Sequence, residues 1–167
     1  MLKLALSFLA LAVVLALATP DIAARLSAIT QPKQEGLPPG SEEAVARVMV
    51  AADSRGHFAT DLTINGRPMT ALVDTGASAM TLTYDAGREL GLVRPADRYD
   101  VRIQTGNGTT HAKRVVLNNV RVGGISLANV EALIAQEGAL GVNLLGMTFL
   151  SKLRTFEIRN GRLVLEQ

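Results

Sequence analysis

The chain has no cysteine and no tryptophan among its 167 residues. Without cysteine it can form no disulfide, no Cys-ligated zinc site and no thiol nucleophile. Aromatic residues make up only 4%, so a core must be assembled from Leu, Val, Ile and Ala. Neither sign of charge dominates, with 17 Lys+Arg against 15 Asp+Glu. That near-balance excludes composition-driven nucleic-acid binding, which needs a concentrated basic stripe. No glycine pair, Gly123-Gly124 included, is followed by Gly-Lys-Ser/Thr, so there is no phosphate loop. What the chain does have is 48% hydrophobic residues, enough for a core and too many for global disorder. Its length suits one domain of ordinary size.

The longest apolar run is at the N-terminus. Met1-Leu2-Lys3 leads into a mostly apolar stretch that reaches Ala18, interrupted by Ser7. Ala16-Leu17-Ala18 has the small-x-small form of a cleavage site. The run falls short of the roughly 20 residues of a comfortable transmembrane helix. Two readings of residues 1–18 fit: a cleaved signal peptide, or an uncleaved anchor holding the membrane through residues 2–18. Both export the rest of the chain. Residues 19–44 contain four of the six prolines (Pro20, Pro32, Pro38, Pro39) and read as a linker. A folded domain is expected over residues 45–167.

Within that domain the pattern is mostly strand. Residues 45–51 are β-prone, and residues 57–64 alternate with Phe58, Thr60, Leu62 and Ile64 on one face. Asn65-Gly66 is a two-residue hairpin turn, because both residues tolerate positive φ. Residues 68–73 form the returning strand. Residues 83–90 predict a short helix capped by Thr83 and ended by Gly91. Residues 99–104 and 110–117 predict two strands around Gly106-Asn107-Gly108. Residues 120–122, 125–127 and 129–135 predict three further short strands, and residues 147–153 a brief helix. Residues 156–158 and 163–165 flank a second Asn-Gly turn at Asn160-Gly161. Short strands with frequent turns indicate an all-β domain, a closed barrel or a sandwich.

One segment carries chemistry: Leu72-Val73-Asp74-Thr75-Gly76-Ala77-Ser78. An apolar strand delivers an aspartate directly into a Thr-Gly turn, which fixes where the carboxylate points. Gly76 lets backbone N–H groups approach that carboxylate. The Thr75 hydroxyl can tie the loop to neighbouring backbone. By itself, Asp-Thr-Gly after a strand is also an ordinary turn.

The segment resembles the signature of the aspartic proteases, specifically the retroviral-like, single-lobe kind, and most of all the bacterial membrane-associated members. Two more stretches carry the resemblance. Leu144-Leu145-Gly146 matches the downstream apolar-apolar-Gly element, which in the family packs beside the catalytic loop. Thr105-Gly106-Asn107-Gly108 lies between the two, where the family places its flap hairpin. The resemblance covers residues 45–165. It implies a retropepsin-like lobe with one or two short helices, exported in a bacterial cell to the periplasm, either anchored or released. One departure stands out. Viral members often carry an acid after the alanine of the signature, where this chain has Ser78, which can instead hydrogen-bond the loop or the carboxylate.

The resemblance implies an aspartic endopeptidase, and the chemistry then demands two carboxylates sharing one proton around an attacking water. Only Asp74 has the required setting; Asp53, Asp61, Asp85, Asp97 and Asp100 do not. A symmetric homodimer with Asp74 from each copy supplies the pair. The substrate is a peptide or protein bound as an extended strand. No metal or organic cofactor is called for, because water is the nucleophile, and no nucleic-acid partner is expected. The glycine-rich hairpin tip reads either as a flap or as a plain exposed turn. The final strands either pair across the dimer or form a hairpin within one chain. His57 and His111 sit on separate predicted strands with no third metal ligand, and the scattered Arg and Lys residues, Lys113 and Arg114 among them, read as solvated strand faces. The competing reading is a noncatalytic β-domain that binds peptides or assembles oligomers.

Overall fold

The computed structural model describes residues 45–106 and 108–167. The expected export segment 1–18, the linker 19–44 and the tip residue Asn107 lie outside the described residues. Among those described, no helix is long and apolar enough to cross a membrane.

Six strands close into a barrel. They are β2 (Ala59–Ile64), β3 (Arg67–Val73), β8 (Asn143–Leu145), β4 (Met80–Leu82), β7 (Ile125–Ala135) and β6 (Gly108–Val122), hydrogen-bonded in that order. Pairing of Thr63 with Arg121 and of Ile64 with Val120 joins β2 back to β6, leaving the ring without a free edge. Strand β5 (Val101–Thr105) extends the sheet beyond β6. Most pairings are antiparallel, but β3–β8 and β4–β7 run parallel. The core is aliphatic, as the composition requires: Ile64, Met80, Leu82, Leu117, Ile125, Ile134, Leu145 and Leu150 are fully buried, with Phe149 as the one fully buried aromatic ring among the described residues.

The Asn65-Gly66 turn forms with φ of 49° and 85°, the two positive values that a tight hairpin needs. Asn65 also pins the turn to the barrel, since its N–H donates to Asn119 O (2.9 Å) while its Oδ1 accepts from the Asn119 N–H (3.1 Å). Helix α1 (Tyr84–Glu89) is capped as expected: Thr83 Oγ1 accepts from the Ala86 N–H at 3.1 Å, and Gly91 takes φ 70° just past its end. Helix α2 (Met147–Leu150) is shorter than the expected 147–153 and buries Phe149 and Leu150. A separate three-stranded sheet has β10 (Arg162–Glu166) between β1 (Arg47–Ala51) and β9 (Thr155–Arg159). The Asn160-Gly161 hairpin therefore closes within one chain.

Three expectations need correction. Residues 110–117 and 120–122 belong to one strand, β6, and residues 125–127 and 129–135 to another, β7. The inward-facing parity changes partway along both: Leu117 then Val120 and Val122 in β6, Ile125 then Val130 in β7. Asn129, at φ 52°, sits at that change, so the period-two pattern breaks while the ladder keeps one register on both sides. Second, β4 and β8 were not foreseen, because three residues are too few to show a period. Third, Lys113 is not a solvated face. Its ammonium pairs with Asp97 and donates to Leu92 O at 2.7 Å, tying the connection after α1 to β6. That hydrogen bond from Lys113 holds the Asp97 carboxyl below its ordinary value.

Candidate active site

Asp74 follows the last residue of β3, where the parallel neighbour β8 pairs Val73 with Leu145. The Asp74 N–H donates to Leu145 O at 3.2 Å, so the ladder extends one residue into the loop. Beyond it the chain turns back on itself. The Gly76 N–H donates to Asp74 Oδ1 at 2.8 Å, and the Ala77 N–H donates to Asp74 O at 3.3 Å. A Cβ at position 76 would lie 3.2 Å from that same Oδ1, so glycine leaves the carboxylate its room.

The second loop locks the first. Gly146 is buried and caps α2. A Cβ there would stand 2.3 Å from Ala79 O and 2.7 Å from Ala77 O, a collision with backbone that cannot be relieved by a rotamer. The Met147 N–H donates to Ala77 O at 2.9 Å. Thr148 Oγ1 accepts from the Met80 N–H (2.9 Å) and donates to Glu131 O (2.7 Å). Asn143 Oδ1 accepts from the Thr83 N–H (3.0 Å), while its Nδ2 donates to Thr70 O (3.1 Å). Thr148 and Asn143 were missed from sequence. Neither has a local signal, because their backbone partners lie between 17 and 73 residues away.

Thr75 and Ser78 depart from expectation. Thr75 is exposed, and among the described residues nothing exchanges a hydrogen bond with its hydroxyl. Ser78 is also exposed and bonds neither the loop nor the carboxylate. Ser78 lines one of two openings beside Asp74 and Thr75 the other.

The larger opening is a cleft of about 530 Å³. Asp74, Gly76, Ala77 and Ser78 form one wall, and Arg102, Ile103, Gln104, Thr105 and Gly106 form the opposite one. Leu133, Leu140 and Leu144 make an apolar floor. The three sequence stretches singled out above therefore meet around one space, with Leu145 and Gly146 buried just behind Leu144. Among the described residues lining it, Asp74 is the only acid. The β5–β6 hairpin is held by Thr105 Oγ1 donating to Gly108 O (2.9 Å) and Thr109 Oγ1 donating to Gln104 Oε1 (2.8 Å). The second opening, a groove of about 390 Å³, is lined by Phe58, Val73, Asp74, Thr75, Phe156 and Ile158, with Glu157 and Leu163. Asp74 is common to both. The histidines lie elsewhere: His57 precedes β2, with Nδ1 3.6 Å from Asp53 Oδ2, and His111 is exposed on β6.

This arrangement is shared with known proteins. Residues 60–152 match the family model described as "gag-polyprotein putative aspartyl protease", and the chain belongs to that family. An uncharacterized protein in the cobV 5′ region of Sinorhizobium sp. is 37% identical over 124 residues, covering 74% of this chain and 52% of its own length. The uncharacterized protein RP867 of Rickettsia prowazekii is 31% identical over 121 residues, covering 72% and 52%. The chain thus spans about half the length of these curated relatives. Among solved structures, a retropepsin-like aspartic protease from Rickettsia conorii superposes with a TM-score of 0.66 at 30% identity, over 73% of this chain and 91% of that one. EIAV protease, solved with the inhibitor HBY-793, superposes with a TM-score of 0.50 at 22% identity, over 62% and 93%, a likeness of fold. By family and by fold the chain belongs with the retropepsin-like aspartic proteases.

Proposed function

We propose that the chain is an endopeptidase that works as a homodimer, with Asp74 of each copy sharing one proton and activating a water against the scissile carbonyl. The carrying observation is a single acid, Asp74, fixed by the Gly76 N–H and by Leu145 O at the mouth of a peptide-sized cleft. One carboxylate acts as general base while the other, protonated, polarises the carbonyl, which a lone aspartate cannot do. The hairpin carrying Thr105, Gly106, Asn107 and Gly108 closes over the bound peptide and excludes water. Gly76 and Ala77 hold the loop, Thr75 and Ser78 form its rim, and Leu144, Leu145 and Gly146 support it from behind.

The second groove favours assembly there. Both edges of β10 are already paired within the chain, to β1 and β9, so β10 has no edge to offer a partner. Among the described residues the outer edge of β9 has no neighbour in its sheet, and β9 brings an exposed Ile158 to the groove shared by Asp74 and Thr75. A second copy seated on that groove brings its Asp74 to the first. We place residues 1–18 as an export segment and the domain in the periplasm, which cell fractionation with N-terminal sequencing of the mature chain tests.

The deciding experiment is a peptide-library digest with the full chain from pH 3 to 8, beside Asp74→Asn, with solution mass measured on the same samples. Asp74-dependent cleavage by a dimer is the expected result. A dimer that binds peptides without cutting them would establish the noncatalytic reading instead.

A further inference from the structure

The cleft beside Asp74 has one charged residue besides that aspartate, and it is Arg102. Arg102 lies on β5, exposed, and among the described residues nothing pairs with its guanidinium. It also lines an adjoining cavity of about 230 Å³ that shares Ser78, Ala79, Ile103 and Leu133 with the cleft. The two spaces therefore adjoin, with Arg102 lining both. The adjoining cavity is also lined by Arg114 and Glu131, 3.8 Å apart and both well exposed. Those two charges offset each other, and Arg102 is left as an excess positive charge common to both spaces.

The wall facing it makes the excess count. The residue after the Asp-Thr-Gly-Ala run is Ser78, a neutral hydroxyl, so the loop adds no second acid beside Asp74 to compete for the guanidinium. The floor near Asp74 is apolar, formed by Leu133, Leu140 and Leu144. An extended peptide in this cleft alternates its side chains between the two walls. Resting on the endopeptidase reading above, we infer that the substrate is a peptide with apolar side chains at the cleaved bond and an Asp or Glu farther along the Ser78 side, received by Arg102. Arg102 is then a specificity residue: it offers a planar pair of donors to a carboxylate and repels a Lys or Arg at the same place.

The test uses matched peptides that share one apolar cleavage site and carry Glu, Gln or Lys at each flanking position in turn. The full-length enzyme should favour Glu over Lys by about fivefold in kcat/KM at one position or more, the size expected of a partly solvated ion pair. Arg102→Gln should bring that ratio to about one and Arg102→Glu should invert it. Raising the salt should compress the wild-type ratio. The ratio is the readout, so an overall loss of rate in a variant does not blur it. The same ratio should appear in binding of fluorescent versions of the peptides to Asp74→Asn, with and without Arg102→Gln. An unchanged Glu-to-Lys ratio in Arg102→Gln, in cleavage or in binding, overturns the role of Arg102. If the wild-type chain cuts none of the peptides yet Asp74→Asn binds them with the Arg102-dependent preference, the endopeptidase reading fails and the acidic-peptide site stands.

Discussion

On one wall of the cleft, the Gly146 Cα passes so near Ala77 and Ala79 that a single added carbon would overlap two carbonyl oxygens. On the opposite wall, a Cβ at Gly106 would meet nothing within 4 Å. The loop wall is held from three directions: β8 beside β3, α2 behind Ala77, and Thr148 bridging Met80 to Glu131. The hairpin wall, the proposed flap, hangs from one antiparallel pairing, β5 on β6, and from hydroxyl bonds near its tip. Such a contrast suits a site in which the reacting group must not move and the cover must. Pre-organisation comes from dense backbone cross-bracing, and access comes from an element with little packed against it.

The contrast can be broken in order of expected effect. Asp74→Asn keeps the size of the side chain and should leave the fold intact while lowering peptide cleavage by about a thousandfold, read as kcat/KM on one reference peptide. Gly146→Ala should cost roughly 3 kcal/mol in chemical denaturation, because the clash is with fixed backbone. A near-neutral result there would mean that the loop wall is softer than its contacts suggest. At the flap, Gly108→Ala should cost about 1 kcal/mol, since its φ of 106° strains any side chain. Gly106→Ala should stay within about 0.5 kcal/mol in the same denaturation experiment. Equal losses at positions 106 and 146 would erase the distinction between the walls.

The smallest expected effect lies outside both walls. Glu166 is nearly buried and takes a hydrogen bond from Arg47 Nε at 2.6 Å and another from Arg154 at 3.4 Å. The bond from Arg47 leads in holding its carboxyl below the ordinary value of 4.5. A carboxyl depressed on folding stabilises the native state above its unfolded value, and that contribution is lost as pH falls through the lower folded value. The full chain should therefore keep this support down to about pH 4.5 and lose it below. Glu166→Gln should lower the melting temperature at neutral pH and flatten its fall in acid, with the Asp74 cleft unaltered.

Much of the architecture was readable in the chain because its signals are local. Asn65-Gly66, Asn160-Gly161 and the Thr83 cap each follow from what one or two residues can adopt. Alternation in residues 57–64 marked a half-buried strand because its period is set by the pleat. The Asp74 loop, Leu144-Leu145-Gly146 and the hairpin at 105–108 were recognisable as a set by order and spacing. The same locality explains the failures. A mid-strand change of facing at Asn129 made β6 and β7 look like fragments. Lys113 looked solvated because Asp97 reaches it from another element. Nothing near Thr148 or Asn143 announces that they lace two distant loops together.

The sequence by itself determined that this chain folds as a cysteine-free, aliphatic β-domain and that Asp74 is delivered on a strand into a glycine turn, since burial, turn geometry and the Asp-Thr-Gly-Ala run are properties of neighbouring residues. Only the tertiary structure decided which distant backbone braces the Asp74 loop, which wall is braced and which is free, that β10 is paired on both edges, and that Arg102 stands unpaired among the described residues beside the cleft. Those facts depend on residues far apart in the chain being brought to within a few ångströms by the closing of the barrel.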